Sequence, residues 1–342
     1  MKSAIQKSAI KKIGGLALAL TLAVSTFFVD TAAAQAQDKP LQDKLLVITT
    51  FSILQDITQE VAGERAQVIS LVGANEDAHV YQPKPSDSRK LAKADLVIEN
   101  GLAFEGWINR LVAASEYKGV RIVASKGIAV NKMADDDEDD DEHEDEHHDH
   151  DSHDQHDHDH ASHDHGEYDP HAWQSLVQAQ QYVRNIRDGL IQVDPQGKAY
   201  YQARAAAYIK RLQGLHKSMK VRFDRLPEAQ RTVMTPHAAF GYLASTYGIT
   251  FVSPQGVSTS SEPSAAEMAH LVKQIRHHQV AAIFMENIGD RRLVEQLQRE
   301  TSAKLGGTLY SDALSETSGP AGSYYKMMQH NLETLLTALE KK

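Results

Sequence analysis

Four residues in this 342-residue chain have the types and settings to hold a divalent metal ion: His79 in DAHVYQP, His171 in DPHAW, His237 in TPHAAFGY and Asp312 in YSDALS. Three imidazoles and one carboxylate match the donors of a four-coordinate, zinc-type site. Each alone has a plainer reading, His79 and His171 as loop histidines, His237 as a helix-entry residue and Asp312 as the cap of a short turn. A second feature gives the set its weight. From Asp135 to Asp169 the chain carries 19 Asp/Glu and 10 His but no Lys or Arg. A segment that polar cannot offset its own conformational entropy by burial and is expected to be disordered. Pure Asp/Glu would read as a solvated spacer, whereas ten imidazoles make the tract a multi-site ligand for transition ions. The chain has no cysteine, so any metal site must be built from His, Asp and Glu. Asp77, Asp169, Glu286 and Asn287 are candidate acceptors for the ring N–H groups. His216, His270, His277, His278 and His330 fall inside predicted helices and read as surface residues.

The elements that must position these residues follow an α/β rhythm. Lys44–Thr50, Ala66–Leu71, Asp95–Glu99 and Val120–Ala124 read as strands. Helices separate them, one from Ile53 capped by Ser52, one capped by Ser86 and one over Trp107–Ala114. Leu176–Val193 is amphipathic and ends at Asp194-Pro195. Residues 196 to about 225 then hold no breaker but Gly214, which predicts a rod of roughly 45 Å, either a long surface helix or a span between two domains. The rhythm resumes with strands at Arg231–Thr235, Thr250–Val252, Ala281–Met285 and Gly307–Tyr310. The helices between them include one with a capping box at Ser264 and Glu267, and Tyr324–Leu339 closes the chain. His237 and Asp312 directly follow strands, and His79 follows one at a short distance, which is where open α/β sheets place ligands.

The first twelve residues carry four lysines, Ile13–Val29 is an apolar run, and small residues follow at Ala32–Ala36. That order predicts a cleaved signal peptide over 1–36. Without a cysteine at the cleavage point, a lipid anchor is not expected, so the mature protein should be soluble and periplasmic. Net charge is −10, yet outside Asp135–Asp169 there are 27 acidic against 36 basic residues. The body is mildly basic and its acidity is confined to one tract, which gives no footprint for nucleic acid.

DAHVYQPKPSD, DPHAW, TPHAAFGYLASTYGI, QGVSTSSEPSA, FMEN, YSDALS and YYKMMQHNLETL are similar, in order and spacing, to the metal-specific solute-binding proteins of bacterial ABC importers, the zinc/manganese class. The resemblance covers essentially the mature chain. It implies two α/β lobes, each a mostly parallel sheet covered by helices, joined by one long rigid helix. The N-terminal lobe would span 37–195 with the His/Asp-rich loop at 132–167, the linking helix 196–226 and the C-terminal lobe 227–342. It also implies metal held between the lobes by His79, His171, His237 and Asp312, and an inner-membrane permease with its ATPase as partners of a monomer. Manganese- and iron-importing relatives usually place a carboxylate where this chain has His237, and the extra nitrogen favours zinc. Some zinc-importing relatives use three histidines alone, which leaves either Asp312 or water as the fourth ligand. Because protons compete for imidazole, affinity should fall below about pH 6. A zinc hydrolase, the reading from another class, needs an open metal position and a general base such as the Glu of an HExxH pattern. A stand-alone zinc store is the other alternative.

Overall fold

In the computed structural model, residues 44–132, 167–254, 256, 258–259, 264–277, 280–301 and 303–340 are described. The expected signal peptide and nearly all of the His/Asp-rich tract lie outside them, as does the side chain of Glu267 in the expected capping box.

The run LLVITTF forms β1 (Leu45–Phe51), buried along its second half. It pairs in parallel with β2 (Ala66–Val72) on one side and β3 (Leu96–Glu99) on the other, so Val47 lies between Val68 and Leu96. β4 (Val120–Val123) joins β3, giving the order β2-β1-β3-β4. A strand flanked in parallel on both edges and covered on both faces needs a near-continuous apolar run, which is what β1 and β3 supply. α1 (Ser52–Ala62), α2 (Pro85–Leu91), α3 (Ile108–Ser115) and α4 (Ala179–Val193) accompany this sheet. Asp87 accepts the Lys84 N–H at 2.8 Å and so caps α2 in place of the expected Ser86.

The second sheet repeats the plan. β5 (Thr232–Met234), β6 (Thr250–Val252), β7 (Ala282–Glu286) and β8 (Leu305–Leu309) are all parallel, in the order β6-β5-β7-β8. α6 (Gly241–Tyr247), α7 (Ala265–His277), α8 (Arg291–Thr301) and α9 (Tyr324–Glu340) complete it. In each sheet the chain steps from its central strand first to one side and then to the other. The crevices where that direction reverses, β1/β3 and β5/β7, are where such sheets bind ligands.

Between the sheets runs α5 (Lys198–Phe223), 26 residues and about 39 Å long. It is shorter than the sequence suggests because Pro195–Gly197 makes a 3-10 turn ahead of it. Tyr201, Ala205, Tyr208, Leu212, Leu215, Met219 and Phe223 are its buried residues, at steps of three and four. That stripe packs on α1 and α4 of the first sheet and α9 of the second. Arg204 donates to the Glu60 carbonyl at 2.8 Å, and Arg211 lies over the rings of Tyr208 and Tyr325 at 5.5 and 5.0 Å.

The two lobes are also joined directly. Ser52, expected to cap α1, is instead its first residue, and its Oγ accepts the Leu314 N–H at 3.0 Å. Asp56 Oδ2 accepts the Tyr324 N–H at the start of α9 at 2.8 Å, a carboxylate placed favourably at a helix N-terminus.

Candidate metal centre

The carboxyl ends of the two sheets bring His79, His171, His237 and Asp312 together, with one donor atom from each inside a group spanning 4.8 Å. His237 stands three residues beyond β5 and Asp312 three beyond β8. His79 comes from the loop after β2, and His171 enters a 3-10 turn at Ala172–Gln174. Nε2 of His79 is 3.2 Å from Nε2 of His171 and 3.2 Å from Asp312 Oδ2. Asp312 Oδ2 is also 3.2 Å from His237 Nε2. His171, His237 and Asp312 are buried to 1% exposure or less.

The outward faces of the rings set which nitrogen points inward. His171 Nδ1–H donates to Asp169 Oδ1 at 2.8 Å, and the same oxygen accepts the His171 backbone N–H at 2.9 Å. His237 Nδ1 lies 2.5 Å from Glu286 Oε2, while Glu286 Oε1 accepts the His237 backbone N–H at 3.0 Å. The His171 bond places its proton on Nδ1 and leaves the Nε2 lone pair toward the centre, and the Glu286 carboxylate beside His237 Nδ1 favours the same tautomer there. Asp169 and Glu286 thus stand on the rings as the sequence suggests, whereas Asp77 does not: its Oδ1 accepts the His79 backbone N–H at 2.8 Å and its Oδ2 the Thr259 hydroxyl. Asn287 does not take part; its Nδ2 donates to Asn75 and to the Ala313 carbonyl.

Three inward nitrogens around a carboxylate are electrostatically incomplete. Asp312 Oδ1 is buried and has no hydrogen-bond donor among the described residues. Burial opposes charge on His171, but Asp312 and the bond the ring donates to Asp169 outweigh it and push the imidazole up to about 9. His237 behaves alike, with Glu286 and Asp312 overcoming burial to raise it well above the usual range. His79 goes the other way, lowered by burial and by the two neighbouring imidazoles. Burial works against the Asp312 carboxylate, yet the same two imidazoles hold it well below the ordinary range. Asp312 and the outer carboxylates thus favour protons on His171 and His237 when no cation is bound, while His79 stays disposed to the neutral form. A divalent cation satisfies the same lone pairs and must displace those protons.

Sequence reasoning missed the apolar frame. Trp173 is fully buried, stands 5.2 Å from the His171 ring, and donates from Nε1 to the Ser311 carbonyl at 2.9 Å, next to Asp312. Phe104 stands edge-on to His79 at 4.6 Å. Tyr242 O–H donates to the Asp169 carbonyl at 2.9 Å and accepts the Asn131 N–H at 3.1 Å, clamping both stems of the His/Asp-rich tract beside the centre. A Cβ on Gly241 would meet Asp169 Oδ2 at 2.5 Å, so any larger residue at the start of α6 must push aside the carboxylate that holds His171. Of the remaining histidines, His216 contacts the Tyr247 hydroxyl at 3.3 Å and His330 donates to the Thr308 carbonyl at 2.9 Å, so neither is an idle surface residue. The HExxH pattern occurs once, from His143 to His147, within the tract and outside the described residues.

Two helix-covered parallel sheets, a long helix between them and a cluster of nitrogen and oxygen donors at their facing ends define a solute-binding protein for a metal ion. The family described as the periplasmic component A of the zinc-uptake complex matches residues 47–338, and the chain belongs to that family. A metal ABC transporter substrate-binding lipoprotein of Streptococcus sanguinis is 29% identical over 338 residues, 97% of this chain and 100% of the relative. Among solved structures, a periplasmic zinc-binding protein of Treponema pallidum is similar at a TM-score of 0.74 and 27% identity, over 86% of this chain and 99% of the other. A manganese-bound periplasmic metal-binding protein of Candidatus Liberibacter asiaticus gives a TM-score of 0.71 at 29% identity, over 86% and 100%. The chain is therefore a metal-binding component of an ABC importer, not an enzyme, and its partners are a membrane permease and an ATPase.

Proposed function

We propose that this protein is the high-affinity zinc-binding component of an ABC transporter for zinc uptake. His79, His171, His237 and Asp312 hold one Zn2+ between the lobes, and the protein presents it to the inner-membrane permease. The observation that carries the choice of metal is His237. Its nitrogen, fixed inward by Glu286, makes the donor set three imidazoles and one carboxylate, which suits zinc better than the harder, oxygen-rich sets preferred by manganese. Manganese or iron is the competing cargo, supported by the manganese-bound relative.

The tract Asp135–Gly166 serves as an auxiliary collector whose many weak sites raise the local zinc concentration near the centre. Residues 1–36 direct export and are removed. The relative from Streptococcus sanguinis is called a lipoprotein, whereas this chain has no cysteine to carry a lipid, which supports a mature protein without that anchor. A competition titration with zinc, manganese and a chelator, on the mature chain and on a form lacking Asp135–Gly166, tests the whole reading. One tight zinc site that resists manganese and survives the deletion supports it. Equal or tighter manganese binding moves the cargo to manganese or iron. Loss of the tight site with the tract makes the tract the binding element instead.

A further inference from the structure

At the carboxyl end of β3 the chain reads Asn100-Gly101-Leu102-Ala103-Phe104-Glu105. Gly101, Leu102 and Ala103 have φ of +84°, +55° and +60°, three consecutive residues in the left-handed region. For Leu and Ala that backbone costs about 1 kcal/mol or more each, so the surroundings must impose it. Glu105, 5% exposed, does so. Its Oε1 accepts the Thr50 hydroxyl and the Asn100 N–H, both at 2.6 Å, and its Oε2 accepts the Gly101 N–H at 3.2 Å. Asn100 extends the network toward the centre, donating from Nδ2 to the Pro170 carbonyl at 2.9 Å and accepting the Tyr182 O–H at 2.6 Å. Pro170 immediately precedes His171.

The product of this turn is the place of one ring. Phe104 is edge-on to His79 at 4.6 Å and to His171 at 5.9 Å. Behind it stand Phe51 at 5.0 Å and Trp173 at 4.9 Å. Aromatic pairs at such distances are stabilising beyond the area they bury, which favours this seat for the ring. A buried carboxylate is a costly way merely to close a turn, and burial pushes Glu105 up to about 7, with Glu99 adding to the rise.

We propose that Glu105 is a positioning residue for metal: by closing the left-handed turn it seats Phe104 against His79 and His171, fixing both imidazoles and screening the ion from water. The proposal rests on the four-residue centre being the metal site. It is tested on the full chain loaded with Zn2+ or with Co2+, by following release into excess chelator and the Co2+ ligand-field absorption. Glu105→Ala should release metal roughly tenfold faster or more and shift the Co2+ bands, the scale of effect seen when groups supporting a ligand are lost. Glu105→Gln should release metal more slowly than Glu105→Ala, because its amide oxygen keeps both 2.6 Å bonds while its NH2 group gives up only the longer one from the Gly101 N–H. Phe104→Leu, which leaves the turn's hydrogen bonds intact, should release as fast as Glu105→Ala. Lower melting temperatures for Glu105→Ala and Phe104→Leu, with wild-type release and unchanged Co2+ bands, overturn the proposal. His237→Ala is the control for the site itself: if it binds and releases metal as wild type does, the four-residue reading fails, whatever the Glu105 variants do.

Discussion

The two lobes share one strand order and solve one problem differently. Each has a buried glutamate at the crevice where its sheet changes direction. In the C-terminal lobe Glu286, the last residue of β7, grips His237 through both ring and backbone. In the N-terminal lobe Glu105 touches neither histidine and reaches them through a backbone turn and the Phe104 ring. Each lobe thus grips one imidazole with a carboxylate, Glu286 on His237 and Asp169 on His171, and the N-terminal lobe adds packing, the Phe104 ring standing against both His79 and His171. Charge sets the protonation and basicity of a donor, whereas packing sets its position and exposure to water.

That contrast can be broken at several points. The largest effect is expected at the gripping carboxylate. Glu286→Gln removes the charged acceptor from His237 and should weaken zinc binding roughly 10- to 100-fold by competition titration. Asp169→Asn should do the same at His171, and a weaker loss than for Glu286→Gln would sharpen the distinction between lobes. Next is Gly241→Ala. Its Cβ would press on Asp169 Oδ2 at 2.5 Å, so thermal unfolding should show a loss of about 1–3 kcal/mol, together with weaker metal binding.

Glu105 then supplies a pH signature. Its folded value of about 7 lies above the ordinary 4.5. A raised carboxyl contributes stability that is complete below the unfolded value and is lost as pH rises through the folded one. Wild type should therefore lose up to about 3 kcal/mol relative to Glu105→Gln between pH 5 and pH 8, read as diverging melting temperatures of the metal-free proteins. Equal slopes for the two would show that Glu105 carries no such burden. The smallest effect is expected for Tyr242→Phe. It loses the hydroxyl that clamps Asn131 and Asp169, which should cost about 1 kcal/mol of stability.

The same contrast explains what could be read from the amino-acid sequence. His237 and Asp312 are legible because each stands just past a short apolar strand, so that strand periodicity alone places them at a sheet's ligand-binding edge. His171 was legible only through its DPHAW motif, since a long polar tract separates it from β4. Nothing in NGLAFE announces three consecutive left-handed residues; Leu102 and Ala103 both disfavour that backbone, and the partners that anchor Glu105 and Asn100 on either side of it, Thr50 and Tyr182, are distant in sequence. Ser52 misled for a related reason. Its local pattern is that of a helix cap, while its hydroxyl is used by Leu314 across the lobes. Local rules fail where a side chain is claimed by a remote partner.

In the proposed function one zinc ion takes three imidazoles and one carboxylate drawn from both lobes. Zinc-edge X-ray absorption on protein loaded with a single equivalent tests it most directly. Four light donors are expected, three of them imidazole, at about 2.0–2.1 Å, with one imidazole lost in His237→Ala. A six-coordinate, oxygen-rich spectrum, or one that His237→Ala leaves unchanged, would contradict it.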